Sequence, residues 1–402
     1  VVSVAGKDRA AILLGGHQAD EVLWISAAGL TSYRGTTLSK PATDAATAIK
    51  AAMDTPRTPM ALPPQCASRD IAISGDGGAV VGRGRFDRPA SSLPRFLASP
   101  EADGAVLAAA AGLRAARGMG QGAGTDLLTI GLSATDYIGH STGTGGAEMC
   151  IQMLALDDQL GAFFKVMDAT GIDYAVVLTA DHGGHDLPER NRQNAIPDAE
   201  RVDAYLLPDR KTHVARKLND DIAAKIGVTG DILFGDAPFG DYYLSPSLTA
   251  KQRKAALAEL SRILTDHRQV ETFVTRDQLA AMPIPVGSPE TWTLAQRIRA
   301  NFDAARSGDI YVVLKPRVTP IPLAAPGFVA THGSIWDYDR RVPILFWRHG
   351  MAAFEQPNPV RTVDIMPTLA ALIKLPVTAP DIDGRCLDLV SGPTSSCGNA
   401  AQ

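Results

Sequence analysis

The 402-residue sequence predicts an α/β protein with a central, mostly parallel sheet, helices on both faces and inserted cap segments. Three observations predict this class. Short apolar segments typical of buried strands alternate with helical patterns, and polar loops follow the ends of those strands. The composition is 45% hydrophobic and 20% charged, as in ordinary globular proteins. We therefore expect residues 1–402 to belong to one α/β domain.

The clearest α/β unit lies in the middle of the chain. An apolar strand at 126–132 precedes a helix at 148–169 and a valine-rich strand at 174–178, which we expect to be buried on both faces. A right-handed crossover joins parallel strands in such a unit. The polar loops at 133–144 and 181–191 should therefore emerge at the same edge of the sheet.

The alternation continues near the carboxyl end, with a strand at 342–347 and a helix at 362–375. Two regions interrupt it. Residues from about 40 to 124 are rich in alanine, glycine and proline. Residues from about 200 to 320 contain two amphipathic helices, the second over 291–308, and a strand. We interpret both regions as insertions or parts of a cap.

The charge and the hydropathy pattern exclude several classes of partner. A net charge of -4 gives no reason to expect nucleic acid or an anionic membrane surface. No apolar run reaches the roughly 18 residues that a membrane-spanning helix needs. We expect a monomer that binds small molecules.

The cysteines, at 66, 150, 386 and 397, include no C-x-x-C pair, which argues against structural zinc held by thiolates. Cys386 and Cys397 flank a short loop. They are either a disulfide, which would suit an oxidising compartment, or buried free cysteines.

Two Asp-His pairs follow the strands of the central unit and offer metal ligands. Asp136 and His140 lie four residues apart, a spacing that brings side chains together on a helical turn or in a tight loop. Asp181 and His182 are adjacent, and the two glycines after them let the main chain bend sharply. Carboxylate and imidazole suit a catalytic zinc, which takes three protein ligands and keeps one position open. The pairs predict two metal ions.

A third polar turn contains His332, which can complete one of these sites. His185 is either a further ligand or a hydrogen-bond donor to a ligand. Two metals about 3.5 to 4 Å apart can clamp the attacking and leaving oxygens of a phosphoryl displacement. Each of these residues, taken alone, is explained more simply as a capped turn or a surface hydrogen bond. Their common position after strand ends favours the metal site.

The first residues of the chain offer a phosphate-binding site. Lys7 and Arg9 follow a strand at 1–5, and alternation along a loop points both cations in one direction. An arginine fork and a lysine charge match a dianion, so together they favour phosphate monoesters over diesters. The alternative is a solvated basic turn.

The motifs TDYIGH, LTADHGG, THGS followed by YDRRVPILFW, and TVDIMPTLAALI followed by DIDGR resemble the alkaline phosphatase superfamily. They are similar to its phosphodiesterase/alkaline phosphatase branch over nearly the whole chain. GKDRAAI resembles the lysine and arginine pair of the bacterial alkaline phosphatases that use a threonine nucleophile. The resemblance implies an alkaline-phosphatase-like fold, hydrolysis of phosphate monoesters and a periplasmic or secreted protein.

The resemblance also implies two Zn²⁺ ions. The ion that stabilises the leaving oxygen would be held by Asp136, His140 and His332. The ion that activates the nucleophile would be held by Asp181 and His182. The cations that bind the phosphoryl oxygens would be Lys7 and Arg9. The implied mechanism passes through a phosphoenzyme that water hydrolyses.

The chain departs from the family pattern at its start. In the family, the nucleophile and one more aspartate ligand precede the Lys-x-Arg motif, whereas only six residues precede Lys7. Neither Ser3 nor a downstream threonine takes the place of the nucleophile. We therefore expect the nucleophile and that aspartate to lie upstream of Val1, in an N-terminal portion absent from this chain, and we expect the chain alone to be inactive.

Two alternatives stay open. A phosphodiesterase or sulfatase of the same superfamily would use the same metals on a different ester. A metal-binding or phosphate-binding protein without catalysis would keep the ligands and lack turnover. Oxygen and nitrogen ligands also suit manganese or iron, so the sequence does not decide the metal.

Overall fold

Two units make up the part of the chain that the computed structural model describes, which is residues 1–377, 382–391 and 394–397. Unit 1 contains Val1–Val176 and Ala324–Ala330. Unit 2 contains Val177–Leu323 and the described residues from Thr331 onward.

Unit 1 contains the mostly parallel sheet that the sequence predicts. Its strands are β1 (Val2–Ala5), β2 (Glu21–Ser26), β3 (Gly29–Thr31), β4 (Ile73–Ser74), β5 (Val80–Val81) and β6 (Leu128–Gly131). Its helices are α1 (Asp8–Gly15), α2 (Lys40–Asp54), α3 (Leu93–Leu97), α4 (Pro100–Ala116), α5 (Ala134–Thr142) and α6 (Ala147–Asp168), with a 3₁₀ turn at Pro64–Arg69. β1 pairs in parallel with β2 and with β6, and β2 pairs antiparallel with β3, in the order β3-β2-β1-β6.

Helices cover both faces of this sheet because its side chains alternate. Val4 and Leu23 point to one face and lie in a buried cluster with α2 and α4. Ala5 and Val22 point to the other face and pack against Ala11 of α1. Burying a valine or leucine side chain contributes about 1.5 to 3 kcal/mol, so this double layer is a main source of stability in unit 1.

The segment predicted as a polar loop at 133–144 is instead the helix α5. It ends at Gly143, whose φ of 78° is one that glycine adopts without strain. The helix predicted at 148–169 is present as α6.

Strand β7 (Ala175–Thr179) contains the boundary between the units. We predict burial on both faces for this strand, but Ala175 and Leu178 are exposed. The prediction of burial on both faces was therefore wrong. An apolar run indicates a strand, but it does not show which elements cover that strand.

Unit 2 is built around an antiparallel sheet. Its other strands are β8 (Glu200–Arg201), β9 (Leu233–Gly235), β10 (Gly240–Leu244), β11 (Val270–Thr275), β12 (Ile310–Leu314), β13 (Val318–Thr319) and β14 (Ile344–Arg348). Its helices are α7 (Pro188–Gln193), α8 (Arg216–Ile226), α9 (Ala250–Asp266), α10 (Arg276–Ala281), α11 (Leu294–Ala300), α12 (Asp337–Arg340) and α13 (Ile365–Leu372), with 3₁₀ turns at Ala204–Leu206, Pro289–Thr291 and Thr362–Asp364. The sheet has the order β11-β12-β10-β9, and α8 and α9 contribute to its buried cluster.

Both amphipathic helices predicted between 200 and 320 are present. A capping box of Thr249 and Gln252 begins α9. The second helix, α11, ends at Ala300, earlier than the sequence pattern suggests, and Asp303 then accepts backbone hydrogen bonds from Ala305 and Arg306 in a turn. Whether this region and residues 40–124 are insertions or caps stays a prediction.

Two disulfides are present. Cys386 is bonded to Cys397, so the disulfide alternative is the one that the structure contains. Cys66 is bonded to Cys150 across a sequence separation of 84, a pairing that spacing alone does not reveal. Among the described residues, none of the helices has both the length and the apolar character that crossing a membrane requires.

Candidate active site

Helix α5 brings Asp136 and His140 together in unit 1. His140 Nε2 lies 3.4 Å from Asp136 Oδ1, as expected for neighbours four residues apart on a helix. His140 Nδ1 lies 2.9 Å from the carbonyl oxygen of Ala330. A carbonyl oxygen only accepts hydrogen bonds, so Nδ1 carries the proton and Nε2 presents its lone pair. This is the form in which a histidine binds a metal.

Lys7 reaches the same carboxylate. Its Nζ forms an ion pair with Asp136 Oδ2, and the two side chains are only 19% and 15% exposed. Nζ also lies 4.7 Å from the centre of the Tyr137 ring, within the range of a cation–π contact. The backbone N–H of Lys7 donates to Ser133 Oγ at 3.1 Å, which ties Lys7 to the residue preceding α5.

Arg9 lies on the exposed first turn of α1, and Lys7 is the N-cap of that helix. The prediction of a loop at Lys7 and Arg9 was wrong, because the backbone becomes helical at Asp8, and the binding of one phosphate by both cations stays a prediction. Burial raises the pKa of Tyr137, the carboxylates of Asp136 and Asp8 raise it further, and Arg9 opposes them. The charge of Arg9 therefore acts on the neighbourhood of Tyr137.

Asp103, which sequence reasoning missed, fixes the start of α5. This α4 residue is fully buried, and its Oδ1 accepts the backbone N–H of Ala134 at 3.0 Å. Its Oδ2 accepts from Gln152 Nε2 at 2.8 Å, and the same amide donates to Thr135 Oγ1 at 3.2 Å. A buried acceptor for an N–H at the start of a helix satisfies a donor that has no partner within the helix, so Asp103 supports the helix that carries Asp136. The sequence signal that could have identified Asp103 was a single aspartate within an alanine-rich helix.

Replacing Asp103 with asparagine should raise stability at alkaline pH. Burial raises the pKa of Asp103 from 3.8 to about 6, and hydrogen bonds from Ala134 and Gln152 oppose this rise. The stabilising contribution of the neutral acid is thus complete below about pH 4 and is lost as the pH rises through about 6. Asparagine avoids this loss, can accept from Ala134 and can donate to Gln152 once that amide turns.

The stability gain of Asp103→Asn should grow between pH 4 and 6 and then stay level, at up to about 3 kcal/mol. Denaturant unfolding of the variant and the wild type at pH 4, 5, 6 and 8 measures it. A difference that is the same at every pH would contradict this prediction.

In unit 2, the imidazole rings of His182 and His332 are stacked, with their centres 3.4 Å apart and a 13° angle between their planes. His182 Nδ1 lies 2.8 Å from the carbonyl oxygen of Gly183, so this nitrogen carries the proton and Nε2 presents its lone pair. His182 Nε2 also lies 3.5 Å from Asp181 Oδ2. Two imidazoles and a carboxylate are ligands that zinc prefers.

The loop after His182 packs tightly on helix α12. Gly183 N donates to the carbonyl oxygen of Asp339 at 2.6 Å, and Gly184 N donates to that of Tyr338 at 2.8 Å. A Cβ atom at Gly183 would lie 2.2 Å from the carbonyl oxygen of Tyr338. Gly183 is therefore needed for close approach of two backbone segments, in addition to the bend that the sequence predicts.

His185 lies in the interior of unit 2. It is 7% exposed, and burial lowers its pKa, with Asp339 opposing that effect. Its ring centre lies 4.9 Å from that of Tyr338, and it lines a cavity of about 20 Å³ with His332 and Asp339. A different histidine, His213, pairs on the surface with Asp236.

Each unit thus collects part of the predicted site. The residues that unit 1 brings together are Lys7, Asp136 and His140. The residues that unit 2 brings together are Asp181, His182 and His332. The ligand chemistry in both clusters fits metal ions, and the division of the five ligands between two ions stays a prediction.

Three comparisons bear on the identity of the chain. The family described as type I phosphodiesterase / nucleotide pyrophosphatase matches residues 5–335. The chain is 52% identical to alkaline phosphatase PhoK of Sphingomonas sp over 400 residues, which cover 99% of this chain and 70% of PhoK. It is 41% identical to alkaline phosphatase PhoD of Zymomonas mobilis subsp. mobilis over 406 residues, which cover 99% of this chain and 68% of PhoD.

A solved structure of alkaline phosphatase PafA superposes with a TM-score of 0.74 at 23% identity, covering 93% of this chain and 71% of PafA. The mixed α/β architecture with its mostly parallel sheet therefore has the same fold as PafA. The chain belongs to the type I phosphodiesterase / nucleotide pyrophosphatase family. Its identity to two alkaline phosphatases over nearly its whole length makes it an alkaline phosphatase enzyme.

Proposed function

We propose that the protein hydrolyses phosphate monoesters at a two-zinc site, through a phosphoenzyme intermediate. The observation that carries the proposal is the cluster of Lys7, Asp136 and His140, in which a cation lies beside two candidate metal ligands. The identity to PhoK and PhoD supports the same activity. We take the substrates to be small phosphate esters and the protein to be a monomer.

The proposed ligands of the zinc at the leaving oxygen are Asp136, His140 and His332. Those of the zinc at the nucleophile are Asp181 and His182. Proton positions support this set, since His140 and His182 each present the lone pair of Nε2. When bound, zinc supplies Lewis-acid stabilisation of the negative charge that develops during the reaction.

The remaining steps fall to side chains of the chain itself. Lys7 and Arg9 bind the nonbridging oxygens of a phosphate dianion and orient its phosphorus for in-line attack. The contact between Lys7 and the Tyr137 ring limits the directions that the ammonium group can take.

Metal analysis of the full-length enzyme tests the proposal. We expect two zinc ions per chain by elemental analysis, loss of aryl phosphate hydrolysis after chelation, and recovery when zinc is restored. Activity that persists after complete metal removal would refute the two-zinc site. Full activity with one tightly bound zinc ion per chain would refute the proposed division of the ligands between two ions.

Replacing Lys7 with alanine should lower kcat/KM for a phosphate monoester by about 10- to 100-fold, because hydrogen bonds to charged groups contribute about 1.5 to 3 kcal/mol. A diester has one nonbridging charge fewer, so its kcat/KM should change little. Steady-state kinetics on paired aryl mono- and diesters measure both effects. Lys40→Ala is the control, since Lys40 is 84% exposed and pairs with Asp44, four residues away on the same helix.

Equal losses on both esters would favour the phosphodiesterase alternative. A wild-type protein that binds zinc and phosphate without turning over either ester, or a sulfate ester, would favour the non-catalytic alternative.

We also propose a periplasmic or secreted location. The two disulfides support it, because disulfides persist in oxidising compartments. Fractionation of cells that express the full-length protein tests the location, and recovery in the cytoplasm with free thiols would contradict it.

A further inference from the structure

The four-residue helix α12 makes hydrogen bonds to both loops that carry histidines in unit 2. Its backbone carbonyls at Tyr338 and Asp339 accept from Gly184 and Gly183, directly after His182. The carboxylate of Asp339 accepts from Ser334, two residues after His332. One residue, Asp339, therefore contacts both loops, through its backbone on one side and its side chain on the other.

Helix α12 is itself firmly held. Arg297 of α11 pairs with Asp337 at 3.1 Å, and Arg340 pairs with Glu290 at 3.0 Å. Just before the helix, the indole N–H of Trp336 donates to the carbonyl oxygen of Leu314 in β12 at 3.0 Å. The helix is thus a fixed support to which the two loops are attached.

The contact between the Asp339 carboxylate and Ser334 is buried and charged. Asp339 is 3% exposed, and its Oδ2 accepts from Ser334 N at 2.8 Å and from Ser334 Oγ at 2.6 Å. Among the residues that the structure describes, Asp339 Oδ1 and His185 Nδ1 have no hydrogen-bond partner, although both are buried and both line the same cavity. Burying an incompletely satisfied carboxylate costs free energy, so stability alone does not account for it.

We propose that Asp339 is a positioning residue that holds the rings of His182 and His332 in their stacked arrangement by joining the two loops. The inference rests on the proposed function, in which both histidines are zinc ligands. Second-layer hydrogen bonds fix the direction of metal ligands, and their loss commonly weakens metal binding by about 10- to 100-fold. Asp339 touches neither substrate nor metal in this proposal.

The variants Asp339→Asn and Ser334→Ala test this in the full-length enzyme. Asparagine keeps one acceptor and loses the charge, and Ser334→Ala removes only the hydroxyl bond. Asp309→Asn is the matched control, because Asp309 is also a buried carboxylate of unit 2 that accepts a backbone N–H, from Leu244 at 2.7 Å.

Three readouts separate positioning from general destabilisation. In metal-free protein, we expect faster amide hydrogen exchange at Gly183, Gly184 and Ser334 in Asp339→Asn but not in Asp309→Asn. Zinc affinity, measured by competition with a chelator, should fall about 10- to 100-fold, and kcat should fall with little change in KM. The double variant Asp339→Asn/Ser334→Ala should lose no more zinc affinity than Asp339→Asn alone, because both changes disrupt the same contact between Asp339 and Ser334.

Asp339→Asn with the zinc affinity and exchange rates of Asp309→Asn would overturn this inference and leave the proposed function intact. A wild-type enzyme that binds no zinc would overturn the proposed function instead. If Asp339→Asn does not fold, Ser334→Ala decides, and unchanged exchange and zinc affinity in that variant overturn the inference.

Discussion

Asp181→Ala should lower the turnover of small aryl phosphates by at least about 1,000-fold, since losing one metal's Lewis-acid contribution of about 4 kcal/mol has that effect on the rate. Asp181 is 86% exposed, and its described contact is with His182 Nε2 at 3.5 Å. An exposed carboxylate contributes little to folding. We therefore expect the metal-free variant to unfold at the same temperature as the metal-free wild type.

The control for Asp181→Ala is Asp236→Ala. Asp236 is 89% exposed and pairs with His213 Nδ1 at 2.8 Å, so it also belongs to an exposed Asp-His pair, but it is not a proposed ligand. This variant should retain full activity and full zinc content. Normal turnover in Asp181→Ala, with zinc content unchanged, would rule out Asp181 as a metal ligand.

Gly183→Ala should lower kcat by about 100-fold or more, because a displacement of about 1 Å in a catalytic group can cost that much. The added Cβ would meet the carbonyl oxygen of Tyr338 at 2.2 Å, and that atom is backbone, which cannot rotate away. The loop must shift, which breaks the 2.6 Å bond from Gly183 N to Asp339 O and moves His182. Overpacking of this kind costs about 1 to 3 kcal/mol of stability.

Kinetics, zinc content and thermal unfolding of Gly183→Ala measure these effects. Gly161→Ala in α6 is the matched control, since a Cβ there meets nothing within 4 Å. It should leave kcat unchanged and stabilise the helix by up to about 1 kcal/mol. Wild-type kcat in Gly183→Ala would show that the loop tolerates displacement and that the close approach has no catalytic role.

The sequence predicts the α/β class well because the periods of strands and helices are local properties. The mostly parallel sheet around β1, the helix α6 and the strand β14 all follow from apolar spacing. The sequence favours a loop at 133–144 because the apolar side chains there are few. The helix found there begins at Ala134, whose backbone N–H donates to the carboxylate of Asp103 in α4. This is a tertiary contact that no local sequence pattern contains.

The candidate ligands could be chosen from sequence because carboxylate and imidazole after a strand end have few other roles as a group. The residues that support these ligands could not be chosen from the sequence. Asp103 and Asp339 act through backbone N–H groups and carbonyls of distant segments, and a backbone partner has no sequence signature. For the same reason, the pairing of Cys66 with Cys150 follows only from the fold.

The disulfide between Cys66 and Cys150 also determines the outcome of proteolytic cleavage. The turn at Asp76–Gly78 is exposed, so it is a natural place for a nick. Since the crosslink spans this turn, both pieces of a nicked chain would stay covalently attached, migrate as one band on a non-reducing gel and separate only after a reductant is added. Retained activity after such a cut would therefore not prove that the polypeptide is uncut.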